Sequence, residues 1–119
     1  MKKRQTGEER KALLKQLIDF ISEPVVLFNY SDKSIIFAND AFYFLTGTSP
    51  QDVVGKQISD YFSFEDNDDV HEKTIEESDL RRKLLDPITV SVTIYLIEKV
   101  ENIALIKVKP QKNQNNQLI

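Results

Sequence analysis

The stretch Ile35–Gly55, IIFANDAFYFLTGTSPQDVVG, constrains this chain more than any other. Its apolar start, Ile35 to Ala38, reads as a short strand and runs straight into Asn39, whose side-chain oxygen can cap a helix. A compact helix carrying aromatic residues follows. It ends at Gly47, the residue type that most easily takes the left-handed conformation at a helix C-terminus. Ser49, Pro50 and Asp52 then mark a second helix start, with a capping hydroxyl, proline in the first turn and an acid three positions past the cap. Gly55 stops that helix. Strand, cap, helix, stop, cap, helix, stop within so short a span is a compact and unusual order of elements.

The same stretch resembles the PAS family of sensory domains. There the segment runs as apolar strand, Asn, x-Ala-Phe, a few residues, Leu-Thr-Gly, then a Ser/Thr-Pro-capped helix ending in Gly. The matching residues are Asn39, Ala41, Phe42, Leu45, Thr46, Gly47, Ser49, Pro50 and Gly55. The resemblance implies an α+β fold, a PAS-like five-stranded antiparallel sheet with short helices on one face and an N-terminal amphipathic flanking helix. It also implies the strand order second, first, fifth, fourth, third. The expected division is residues 1–24 for the flanking helix, 25–109 for the sensory domain and 110–119 for a polar tail toward an output domain outside this chain.

At 119 residues the chain is one domain, able to bury roughly two-thirds of its unfolded surface. A net charge of −3 gives no electrostatic case for nucleic acid or an anionic membrane. No apolar run approaches a membrane span, and the charged start MKKRQTGEERK leads to no apolar signal segment, so a cytoplasmic location is expected. The absence of Cys excludes disulfides and thiol-ligated metals. It also excludes the flavin-adduct chemistry of the light-sensing PAS relatives, which needs a cysteine.

Thr6 with Glu9 makes a capping box, and Leu13, Leu14, Leu17, Ile18 and Ile21 follow at helical spacing, predicting an amphipathic helix from Gly7 to about Ser22 before Pro24. Val25–Tyr30 is a strand, Ser31–Ser34 a polar turn, Ile35–Ala38 the next strand. After the two capped helices, Gln57–Phe64 reads as a third short helix. Glu65–Asp79, acidic and polar, reads as a loop with one helical stretch. Leu80–Leu85 is a candidate strand, Asp86-Pro87 a turn, Ile88–Ile97 a long β-branched strand, Glu98–Asn102 a turn and Ile103–Lys109 the last strand. The tail Pro110–Ile119 lacks the apolar content to pack.

Alternation places Ile88, Val90, Val92, Ile94 and Leu96 on one face of the sheet, with Ala104, Ile106 and Val108 from the last strand. The opposite face carries Tyr95, Ile97, Ile103 and Leu105 among polar residues and also needs cover. The N-terminal helix or a second subunit can supply it. The expected interface of a homodimer is therefore Leu13, Leu14, Leu17, Ile18 and Ile21 with Tyr95, Ile97 and Leu105.

No catalytic constellation stands out. The glycines form no phosphate-binding loop, and a single His leaves no convincing nucleophile–base pair, so enzyme activity is not expected. His71 is the one imidazole; the resemblance offers it as a haem ligand, but its neighbours Asp68, Asp69, Val70, Glu72 and Lys73 are unlike an apolar haem wall. The acidic run Glu65–Asp69 lacks the spacing of a Ca²⁺ loop. Phe42 and Leu45 match core positions of the resembling family. Tyr43 and Phe44 stand where relatives carry polar residues, and core packing is the usual fate of such aromatics.

No metal or cofactor is expected. A pocket for a small apolar ligand would be lined by Ile36, Ala38, Phe42, Leu45, Ile58, Phe62, Val92, Ile94 and Ile106. Asn39 would cap its helix or tie that helix to the neighbouring strand. The resemblance implies a non-enzymatic sensory module of a bacterial signal-transduction protein. It implies an effector after the tail, commonly the histidine kinase of a two-component system or a diguanylate cyclase. The alternatives are a ligand-free interaction and dimerisation domain, and a haem sensor through His71.

Overall fold

The apolar stripe near the N-terminus sets the first element. The structure, a computed structural model, describes residues 7–63, 72–98 and 102–110. Helix α1 spans Gly7–Asp19. It leaves regular geometry earlier than the expected end near Ser22, because the Phe20 and Ile21 N–H groups bond to the Leu17 and Ile18 carbonyls, a tighter turn that leads into Pro24. The Thr6 half of the expected capping box lies outside the described residues.

Strands β1 (Val25–Asn29) and β2 (Ile35–Ala38) form a hairpin whose turn uses Lys33 at φ 66°. Helix α2 (Asp40–Thr46) closes on Gly47, whose φ of 69° is the left-handed conformation glycine takes without a Cβ clash. Helix α3 (Pro50–Val53) starts where Asp52 accepts the Ser49 N–H at 3.0 Å. The expected short helix over Gln57–Phe64 is a single 3-10 turn, Ile58–Asp60. Three long strands follow: β3 (Glu72–Arg82), β4 (Leu85–Glu98) and β5 (Ile103–Pro110).

All five strands join one antiparallel sheet in the order β2-β1-β5-β4-β3, as the sequence resemblance implied. The first and last strands meet at its centre, with Val25 opposite Lys107 and Asn29 opposite Ile103. One face packs Val26, Phe28, Val90, Val92, Ile94, Ala104, Ile106 and Val108 against Phe42 of α2, Val53 of α3, and Ile58 and Phe62. On the other face Ile18 of α1 packs with Val25, Leu27 and Ile103. Burying each such side chain contributes about 1.5–3 kcal/mol before entropy is subtracted.

Two expectations fail in the same region. Glu72–Asp79, read as part of a loop with a helical stretch, is strand: β3 is an edge, and a register shift between Ile75 and Ser78 breaks the alternation that would have revealed it. The turn expected at Asp86-Pro87 lies instead at Lys83-Leu84, where Leu84 takes φ 61°. Pro87 sits inside β4, beyond the last β4–β5 pair at Val90 and Pro110, where its missing N–H removes nothing from that ladder.

Candidate functional site

Asn39 joins three elements through one side chain. Its Oδ1 accepts the Phe42 N–H at 3.1 Å, capping α2, and the Val25 N–H at 2.9 Å, tying the cap to β1. Its Nδ2 donates to the carbonyls of Ile18 (3.2 Å), Ile21 (3.1 Å) and Glu23 (2.8 Å), the exit of α1. The pattern fixes the amide orientation, since the flipped form would aim an oxygen at three carbonyl oxygens. Asn39 is buried, and its bonds to Phe42, Val25 and Ile18 are buried with it, so these act in a low dielectric where an unmade one is costly; those to Ile21 and Glu23 lie nearer the surface.

Beneath α2 lies the expected pocket region. Ala38, Phe42, Ile58, Phe62, Val92, Ile94 and Ile106 are all buried in one cluster, and Leu45 packs against it half-buried. Phe42 is its hub: its ring lies 6.3 Å from Tyr43 and 6.1 Å from Tyr61, both edge-on, and 6.2 Å from Phe62. Ile36 does not belong there. It packs with the outer cluster beside Ile18, because both Ile36 and Phe37 turn outward next to the register shift between Leu27 and Phe28. The inner cluster around Phe42 also takes in Val26, Phe28, Ile35, Val53, Leu80 and Val108, absent from the sequence reading of the pocket; alternation within β1 carried that signal for Val26 and Phe28.

Tyr43 packs half-buried on the core, and burial pushes its phenol pKa up. Phe44, expected inside, is 90% exposed. His71 and the acidic run Glu65–Asp69 lie outside the described residues. Among the described residues no cluster of His, Cys, Asp or Glu could hold a metal, and no helix is long and apolar enough to cross a membrane.

The outer face divides the apolar stripe. Leu14 and Ile18 pack on the protein's own sheet, and Ile103, one of the outer-face residues expected to need cover, is fully buried under them. Leu13, Leu17, Phe20 and Ile21 point away, Leu17 53% and Phe20 86% exposed. Ile97 is exposed on the sheet, while Tyr95 and Leu105 are half-buried. Lys107 reaches Glu23 at 3.0 Å and ties β5 to the exit of α1; this carboxylate raises the lysine's pKa.

A cleft of about 480 Å³ opens on the polar exterior, lined by Gln51, Asp52, Lys56, Asp60, Tyr61, Arg81, Arg82 and Lys83. No residue pattern in the sequence marks it, because pairing of the segment after α3 with the end of β3 assembles it: the Arg81 N–H donates to the Tyr61 carbonyl at 2.7 Å.

Residues 22–119 match a family model described as PAS domain. The PAS domain of an HTR-like protein from Haloarcula marismortui superposes with a TM-score of 0.70 at 17% identity, covering 87% of this chain and 99% of that one. The PAS domain of a two-component sensor histidine kinase gives 0.71 at 15% identity, with 89% and 100% covered. That of nitrogen regulation protein NR(II) from Vibrio parahaemolyticus gives 0.61 at 14% identity, with 83% and 98% covered. At these identities the likeness is one of fold. A search of curated protein sequences found no match.

Proposed function

The chain belongs to the PAS domain family, and on that premise we propose that it is a non-enzymatic sensory or regulatory module of a bacterial signalling protein. Its signal is a small apolar ligand between sheet and helices, or a change in the arrangement of two subunits. Its output is a histidine kinase or diguanylate cyclase outside this chain. The observation that carries this reading is the bonding of Asn39, which links α2 and β1 on the inner side to the end of α1 on the outer side. Any displacement of α2 must stretch bonds to the end of α1, and α1 with the turn after it offers Leu13, Leu17, Phe20 and Ile21 to a second subunit.

The aromatic packing around Phe42 favours a second reading, a ligand-free interaction domain whose core fills the place a ligand would take. Native mass spectrometry of the protein purified from cells separates the two. A small-molecule adduct supports the ligand sensor, and a bare dimer supports the interaction domain or a sensor that works through the arrangement of two subunits. A haem-sized mass with a Soret band overturns both in favour of haem sensing through His71, and a bare monomer contradicts all three.

A further inference from the structure

The exterior cleft carries an imbalance of charge. Its carboxylates are committed to structure: Asp52 accepts the Ser49 N–H and the Lys83 ammonium (3.2 and 3.1 Å), and Asp60 accepts the Gln57 N–H at 3.1 Å. Arg82 donates its Nε–H to the Asp86 carbonyl at 2.7 Å, keeping the rest of its guanidinium. Lys56 and Arg81 are exposed, and their side chains have no hydrogen bond or salt bridge among the described residues. Four cations thus face two occupied acids in a chain whose net charge is −3. The cleft's lining is also distinct from the apolar cluster around Phe42, Tyr61 excepted.

We propose that this cleft binds a compact phosphate-bearing polyanion, from pyrophosphate to a nucleoside triphosphate in size. Arg81 and Lys56 are the principal contacts, with Arg82 and Lys83 completing the positive lining. The volume of about 480 Å³ lies in the range of small-ligand sites. The backbone bond from Arg81 to Tyr61 holds the root of a guanidinium at the cleft, and a planar fork of donors matches phosphate oxygens in pairs. Because the site is open to solvent, binding must weaken as ionic strength rises.

The test is an NMR titration of the whole chain at low salt, with inorganic pyrophosphate and with ATP as separate probes. Saturable shifts at Lys56 and Arg81–Lys83 are expected, with Kd on the order of 0.1–1 mM. Arg81→Gln with Lys56→Gln is expected to weaken binding about tenfold or more. Both positions are exposed, so a thermal melt verifies that the variant folds. Lys109→Gln, an exposed cation on β5, is expected to change nothing. ATP binding no more tightly than pyrophosphate supports recognition of phosphate alone, and tighter ATP binding with the same residues shifted supports a nucleotide. Silence of pyrophosphate at several mM, equal loss in Lys109→Gln, or hexaglutamate binding while pyrophosphate does not would each overturn the proposal.

Discussion

Among the described residues, the inner face of the sheet is covered by α2, α3 and the 3-10 turn, while the outer face is covered by α1 alone. Inside, strand residues and helix residues interlock around Phe42, so most apolar surface there has a partner within the chain. Outside, α1 shields Val25, Leu27 and Ile103 with Ile18 and Leu14, yet Leu13 and Leu17 on its far side, and Phe20 and Ile21 in the turn after it, stay open to solvent. A single amphipathic helix on a flat sheet cannot bury residues at every angle of its circumference, so a helix apolar on two sides keeps one side free. The inner face stores stability, and the outer face holds surface available for association.

The largest expected effect lies inside. Phe42→Ala removes the hub of the aromatic cluster and should cost about 3–5 kcal/mol, much of a small domain's stability. Denaturant unfolding measures it, and a loss below about 1 kcal/mol would mean that the cluster is not packed as described.

Next comes the residue that joins the faces. Asn39→Ala leaves the buried Val25 N–H without its partner and uncaps α2, and a buried group left unmade costs about 1–3 kcal/mol; the carbonyls of Ile18, Ile21 and Glu23 also lose a donor, though that of Ile18 keeps the Ile21 N–H. Asn39→Asp sharpens the comparison, because it keeps the acceptor for Phe42 and Val25 but aims a carboxylate at the carbonyls of Ile18, Ile21 and Glu23. Hydrogen exchange should then speed up across α1 more than across α2. Equal change in both helices would show that Asn39 does not couple the faces selectively.

The smallest effect concerns Asp52, half-buried at the start of α3. Hydrogen bonding from the Ser49 N–H, and then from Lys83, holds its pKa below 3.8. The folded value is depressed, so its contribution is present above the unfolded value and is lost as pH falls through the folded one. Asp52→Asn should therefore flatten the acid limb of the stability curve below about pH 4 and leave the curve near pH 7 almost parallel to wild type. An unchanged acid limb would remove Asp52 from the account.

Much of this was legible from caps and alternation. Asn39, Gly47 and the Ser49-Pro50-Asp52 start mark the boundaries of α2 and α3, since each residue type answers a backbone requirement at that place. The period-two run in β4 and β5 revealed both faces. What stayed hidden was set by pairing rather than by local preference. Strand β3 is polar and bulged and is held by its β-branched neighbour β4. The Lys83-Leu84 turn contains no Gly, Asn, Asp or Pro to announce it. Ile36 was misplaced because a register shift in the β1–β2 pair overrides strict alternation.

The proposed role of the free side of α1, docking a second copy of the chain, is tested by sedimentation of the wild type beside Leu17→Glu. Leu17 is half exposed and touches no inner core, so the glutamate should leave thermal stability of the single chain nearly unchanged. The account predicts a wild-type dimer at tens of micromolar, about the concentration at which a modest interface is populated, and a monomer for Leu17→Glu. A wild type that stays monomeric there, or a Leu17→Glu variant that stays dimeric, would contradict it.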